Sequence, residues 1–176
     1  AIDSVESDNV ILLPNNGNII PAARQASENS SKCVCVVESR TIPQGVAAIL
    51  CFNSDRDVQA NVSDMEGAIS SVRTLEVTES VRDMTLDGIS AVSGQLIGLT
   101  DGKLTAVGDD LQSVVDSILD AEGVSGGDLV TLYWGDRIVL EDVEGVERQV
   151  KASFPGVDVE VVDGGQPNYH LIMSIE

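Results

Sequence analysis

The most constraining stretch of this sequence is Asn9 to Ala23, NVILLPNNGNIIPAA. Val10-Ile11-Leu12-Leu13 is an apolar run without polar alternation, which predicts a strand buried on both faces. Pro14 stops it, and Asn18 is a candidate N-cap, with Ile19, Ile20 and Pro21 opening a helix. A strand, a polar loop and a helix in this order make a parallel α/β unit. In such sheets ligands bind beyond the carboxyl ends of the strands, where Asn15, Asn16 and Asn18 fall.

The same grammar recurs. Cys33-Val34-Cys35-Val36-Val37 reads as a second buried strand, residues 38–44 (ESRTIPQ) as a polar break, and residues 45–52 (GVAAILCF) as an apolar helix. Parallel neighbours point the same way, so the loops after them share one edge. Asn15, Asn16, Asn18, Thr41 and Gln44 are therefore expected to gather there. Capped, tight turns account for some of these polar residues, but three asparagines exceed what one cap needs. The excess makes the group a candidate ligand or partner site.

Near residue 73 the texture changes. Residues 73–80 (RTLEVTES) alternate, as a half-buried and usually antiparallel strand does. Residues 89–92, 95–100 and 103–107 are further short strands, and Asp101-Gly102 is a strong hairpin signal. Residues 109–121 form the clearest helix, with Leu111, Val114, Val115, Ile118 and Leu119 on one face, Asp109 and Asp110 at its start and Gly123 after its end. A strand at 129–134, a helix at 142–153 and strands at 157–162 and 169–175 complete the pattern. The fold class is α/β, in two tandem lobes: residues 1–72 with parallel strands and residues 73–176 of mixed type. Residues 1–7 read as the tail of a helix.

Charge narrows the function. Ten Lys and Arg stand against 29 Asp and Glu, a net charge of −19. Nucleic-acid binding needs basic patches and is not expected, nor is attachment to an anionic membrane surface. No run of 18 apolar residues is present, so membrane insertion is not expected either. The three cysteines read as buried free thiols in a reducing, cytoplasmic setting, because Cys33 and Cys35 are poorly placed to bond to each other.

No phosphate loop, dinucleotide fingerprint or nucleophile elbow occurs, and no catalytic or metal-ligating residues are nominated. The single His170, in an expected strand, reads as structural. Arg82 beside Asp83 reads as an ion pair at a strand end, and Gly164-Gly165-Gln166-Pro167 as a strained hairpin turn.

Four blocks, LPNNGNII, SRTIPQGVAAIL, VTESVRD and GGQPNYHLIMSIE, resemble in order the C-terminal region of fatty-acid-kinase large subunits, proteins related to dihydroxyacetone kinase. The resemblance runs through essentially the whole chain. Departures are a shorter gap before Gln44-Gly45, Ser80 where the family has alanine, and the absence of a GGQTMNPS block ahead of the LPNN block. The resemblance implies a two-lobed fold of the DegV/dihydroxyacetone kinase type. It implies a parent protein that phosphorylates a fatty acid held by a separate DegV-type acyl-binding protein. This region would serve association with that protein, or self-association as a homodimer, rather than phosphoryl transfer. ATP and Mg²⁺ are expected only in an upstream kinase domain missing from this chain. The resemblance adds Arg82, Gly164, Gly165 and Gln166 to the candidate ligand- or partner-binding residues. The alternative function is a small-molecule domain holding a fatty acid or other carboxylate at the loop edge.

Overall fold

The computed structural model describes residues 1–86 and 88–176, in two compact units, Ala1–Val72 and Arg73–Glu176. In the first unit a short 3-10 turn at Ile2–Ser4 replaces the expected helix tail. Strand β1 (Asn9–Leu12) leads to helix α1 (Ile20–Glu28), strand β2 (Cys33–Val36), helix α2 (Ile42–Leu50) and helix α3 (Val58–Ser71). β1 and β2 pair in parallel, Val10 opposite Val34 and Leu12 opposite Val36. Val37, Ala48 and Met65 form a small core, flanked by Ile11, Leu13, Val62 and Ile69. Buried Asn61 ties the start of α3 to the preceding turn: its Nδ2 donates to the carbonyls of Asn53, Arg56 and Asp57, and its Oδ1 accepts from Asn53 N–H.

Two expectations fail in this unit for one physical reason. The strands are not buried on both faces; in β1 only Val10 is fully covered. Cys33 and Cys51 are exposed and Cys35 half-buried, so they are free thiols but not core thiols. A sheet of only two strands leaves edges and strand ends open, whatever the apolarity of the run. Asn18 also does not cap α1. Ile19 takes that position without a side-chain cap, and Asn18 N–H donates to Asn16 Oδ1 in a local turn.

The second unit is built on a six-stranded sheet, ordered β7-β6-β3-β10-β8-β9, from β3 (Arg73–Glu79), β6 (Leu96–Thr100), β7 (Lys103–Gly108), β8 (Leu129–Trp134), β9 (Asp158–Asp163) and β10 (Leu171–Ile175). All pairings are antiparallel except β8 with β9, which are joined through helix α5 (Leu140–Ser153). A separate hairpin joins β4 (Met84–Leu86) to β5 (Ile89–Ala91); only its second strand is expected from the sequence, because β4 is too short to show a pattern. Asp101 and Gly102 both adopt left-handed φ (46° and 80°) at the β6–β7 turn, as the Asp-Gly signal requires.

Alternation fixes the core. Leu75 and Val77 of β3, Val130 and Leu132 of β8, and Leu171, Met173 and Ile175 of β10 meet helix α4 (Leu111–Ala121) and α5. Val114, Val115, Ile118 and Leu119 of α4 are fully buried. Gly98 is required where Ile118 crosses the sheet, because a Cβ there would overlap the Ile118 side chain. Asp110, not Asp109, caps α4, its Oδ1 accepting from Ser113 N–H at 2.9 Å. The Gly164–Pro167 segment is not a hairpin turn: β9 and β10 flank β8 instead of pairing.

Candidate functional site

In the first unit the two loops after the strands meet. Asn15 adopts a left-handed φ of 54°, which asparagine tolerates better than most residues. Its N–H donates to Ser39 Oγ at 3.0 Å, and Ser39 Oγ donates back to Asn15 Oδ1 at 2.6 Å. The Asn15 side chain presses on Gly45, where a Cβ would overlap its amide. Thr41 caps α2, its Oγ1 accepting from Gln44 N–H at 3.3 Å, while Gln44 Oε1 accepts from Arg40 N–H at 2.8 Å. This is close to the reciprocal capping box.

Asn15, Asn16, Thr41 and Gln44 thus spend hydrogen-bonding groups on holding the two loops. The Asn18 side chain and the Arg40 guanidinium make no hydrogen bond or ion pair among the described residues. Ser39, completely buried, is the residue that sequence reasoning missed. A serine between an apolar strand and an arginine carries no periodic signal. Beneath the first loop lies an open cavity of about 510 Å³, walled by Leu12, Pro14, Ile19, Ala22, Ala23 and Ala26.

Helix α2 exposes an apolar stripe. Ile42, Val46, Ile49 and Leu50 recur at helical spacing and Phe52 follows; Leu50 is 78% and Ile49 59% exposed. The opposite side, with Ala47 and Ala48, faces inward.

In the second unit, Gly164, Gly165 and Gln166 wrap the end of β8. The N–H groups of Gly164 and Gly165 donate to the Trp134 carbonyl, and Gln166 Nε2 donates to the Tyr133 carbonyl at 2.7 Å. Gly165 has φ 58°, and a Cβ on the facing Gly135 would overlap the carbonyls of Tyr169 and Gln166. Arg82 lies elsewhere. It does not pair with Asp83, whose Oδ1 instead accepts from Ser93 N–H at 2.8 Å. Arg82 lines a cavity with Glu79 and Arg137. Arg137 connects this cavity to the glycine loop: Nε donates to the Pro167 carbonyl at 3.2 Å, and Nη1 lies 3.4 Å from Glu79 Oε2.

Burial sets the local protonation. His170 is 9% exposed, and desolvation lowers its pKa against the opposing pull of Glu79, 3.9 Å from Nε2. Its Nδ1 is buried without a hydrogen-bond partner among the described residues. Glu76 is pushed up by desolvation and then by Asp101, and Tyr169 by desolvation and then by Glu76. No helix among the described residues is long and apolar enough to cross a membrane.

These features place the chain among known proteins. It is 35% identical over 176 residues to Protein YloV of Bacillus subtilis (strain 168), matching all of this chain and 32% of that protein. It is 27% identical over 175 residues to an uncharacterized protein of Staphylococcus aureus (strain USA300), again 32% of the relative. The chain therefore spans about a third of the length of these relatives. Among solved structures, the Streptococcus pneumoniae fatty acid kinase B3 protein loaded with linoleic acid superposes with a TM-score of 0.65 at 12% identity, over 97% of this chain and 72% of that one. A DegV-family protein from Ruminococcus gnavus, solved with vaccenic acid, gives 0.62 at 12% identity, over 99% and 74%. Those likenesses establish a mixed α/β fold of the DegV kind. The model of the FakA-like C-terminal family of fatty acid kinases matches residues 1–176, and the chain belongs to that family.

Proposed function

We propose that this chain is the non-catalytic C-terminal domain of the large subunit in a fatty acid kinase, and that it docks onto a DegV-type acyl-binding protein. The exposed apolar stripe of α2, Ile42, Val46, Ile49 and Leu50 with Phe52, carries this reading. A contiguous apolar face rimmed by polar residues marks an interaction surface. The net charge of −19 favours a partner with a basic rim, and unlike charges steer such encounters. Family membership supports a partner of this class. In this reading phosphoryl transfer, ATP and Mg²⁺ belong to a domain outside this chain.

The test is calorimetric titration of a DegV-type acyl-binding protein into this chain at low and high salt. Binding is expected, weakening as salt rises. Ile49→Ser with Leu50→Ser should weaken it by about tenfold or more, because apolar anchors at an interface centre dominate affinity. Unchanged affinity in that variant overturns the assignment of the surface. Absence of binding at every salt concentration, or self-association through α2 instead, overturns the assignment of the partner.

A second reading has its own observation. The cavity of about 510 Å³ beside Leu12 and Ile19 is of the size that takes small apolar ligands, and several fold neighbours were solved with fatty acids. Native mass spectrometry of the purified chain decides this: a co-purified fatty acid supports a binding domain with Asn15, Asn16, Asn18, Thr41 and Gln44 at its polar edge.

A further inference from the structure

Strand β9 ends the six-stranded sheet. Its inner edge is in use: Asp158 N–H donates to the Asp128 carbonyl and Gly164 N–H to the Trp134 carbonyl, both at 3.0 Å, and the register between them is unbroken. Parallel pairing engages alternate residues, so Asp158, Glu160 and Val162 turn their backbone groups to β8. Val159, Val161 and Asp163 turn theirs outward, where they make no hydrogen bond to any described residue. The opposite edge of the sheet is guarded. The β6–β7 pairing shifts register at Gly98 and Leu99, and the β4–β5 hairpin packs beside β7 through Ile89 and Val107. β9 has neither bulge nor proline, and Asp158, Glu160, Val162 and Asp163 are exposed.

The side chains of β9 sort by face. Val159 and Val161 pack on the core beside Phe154, and all three stay half-buried, so the core lacks full cover on this flank. Asp158 and Glu160 lie on the other face with Val162, which is 38% exposed. The strand carries three carboxylates and no Lys or Arg. Charge on an edge strand discourages pairing, but here it does so selectively. A second copy of β9 would set carboxylate against carboxylate, whereas a strand bearing Lys or Arg gains favourable cross-strand pairs. We infer that β9 accepts an extended segment of a partner protein in which basic residues alternate with Val- or Ile-type residues. The main chain of that segment pairs with Val159, Val161 and Asp163, its apolar side chains extend the cover over Val159 and Val161, and its basic side chains face Asp158 and Glu160. The inference is independent of the docking surface on α2: it concerns other residues and another unit.

The test follows amide hydrogen exchange of Val159, Val161 and Asp163 by NMR in the full chain. An alternating Lys-Val peptide as long as β9, the matching Glu-Val peptide, and the Lys-Val peptide N-methylated at every residue are titrated separately. The Lys-Val peptide is expected to slow exchange at these amides saturably, and less so as salt rises. The Glu-Val peptide and the N-methylated peptide, which lacks backbone donors, are expected not to. Val161→Pro removes an outward N–H while leaving the bonds to β8 in place, and should weaken the Lys-Val response about tenfold or more. Glu160→Lys should weaken it about fivefold and leaves the backbone edge unchanged, so it decides the matter if Val161→Pro does not fold. Unchanged methyl shifts for Val130 and Leu132 show that a variant is folded. Equal protection by the Glu-Val peptide, binding undiminished by N-methylation or by Glu160→Lys, or no protection at these amides overturns the inference. Protection that appears without peptide as the chain is concentrated gives the edge to a second copy and overturns it too.

Discussion

The two units spend similar local grammar on different ends. In the second, six strands give α4 and α5 a wide face to cover, and Leu75, Val77, Leu132, Met173 and the buried stripe of α4 close it completely. In the first, two strands carry runs just as apolar, yet Ile11 and Leu12 stay half-covered and α2 turns Ile49 and Leu50 outward. Apolar sequence makes elements; the number of strands sharing a sheet decides whether their faces are closed. Where they are not, the surplus apolar surface is available for a partner.

The largest expected effect lies in the closed core. Ile118→Ala should lower stability by about 2–5 kcal/mol, while Ile11→Ala, half-covered, should cost roughly 1–2 kcal/mol, since less apolar surface returns to water. Urea unfolding followed by the fluorescence of Trp134 and by circular dichroism measures both. Equal losses would break the contrast.

Next come two of the glycines where a Cβ would overlap a neighbour. Gly135→Ala meets backbone carbonyls that cannot swing away and should cost about 1–3 kcal/mol or more. Gly45→Ala meets only the Asn15 side chain, so adding Asn15→Gly, which suits the left-handed φ, should recover most of its loss. A double-mutant cycle by thermal melting checks this; strict additivity would show that the loops do not touch as described.

Smaller still is the pH dependence, expected from groups of the second unit. The folded pKa of Glu76 lies above its ordinary 4.5. The folded state therefore holds the proton longer, and stability falls as pH rises from about 4.5 through the folded value. Glu76→Gln should match the wild type below this window and exceed it above. The folded pKa of His170 lies below 6.5, so stability is full above 6.5 and is lost as pH falls through the folded value. His170→Gln should flatten that slope. Melting curves from pH 4 to pH 8, a range of about four units chosen to span both ordinary values, separate the two.

The smallest effect sharpens the contrast most. Ile49→Ser and Leu50→Ser should change the melting stability of the free chain by no more than about 0.5 kcal/mol, as exposed positions do. A loss as large as that of Ile118→Ala would mean that α2 is packed rather than presented.

Much of this is legible in the sequence where the signal is local. The α4 stripe, the Asp101-Gly102 turn and the alternation of Arg73–Glu79 are short-range patterns, and each element forms within a residue or two of its reading. The meeting of the Asn15 and Thr41–Gln44 loops follows from parallel pairing alone. What cannot be read depends on partners far apart in the chain. Ser39 locks Asn15, Arg137 spans Glu79 and Pro167, and the Gly164–Pro167 loop crosses β8 instead of turning a hairpin. The exposure of Cys33 and Cys51 belongs here too, since burial is set by how many neighbours a strand acquires.

The place of β10 in the sheet governs how the second unit can assemble in time. β10 occupies a central position, hydrogen-bonded to β3 on one side and β8 on the other. Until Leu171–Ile175 have left the ribosome, β3 and β8 have no common neighbour, and Val77 and Leu132 have only part of their eventual cover. Pairing of Val77 with Leu171 closes nearly the whole length of the unit, and contacts so distant along the chain form slowly. A nascent chain stalled before Leu171 therefore presents two unsatisfied inner strand edges, a target for chaperones and a seed for misassociation.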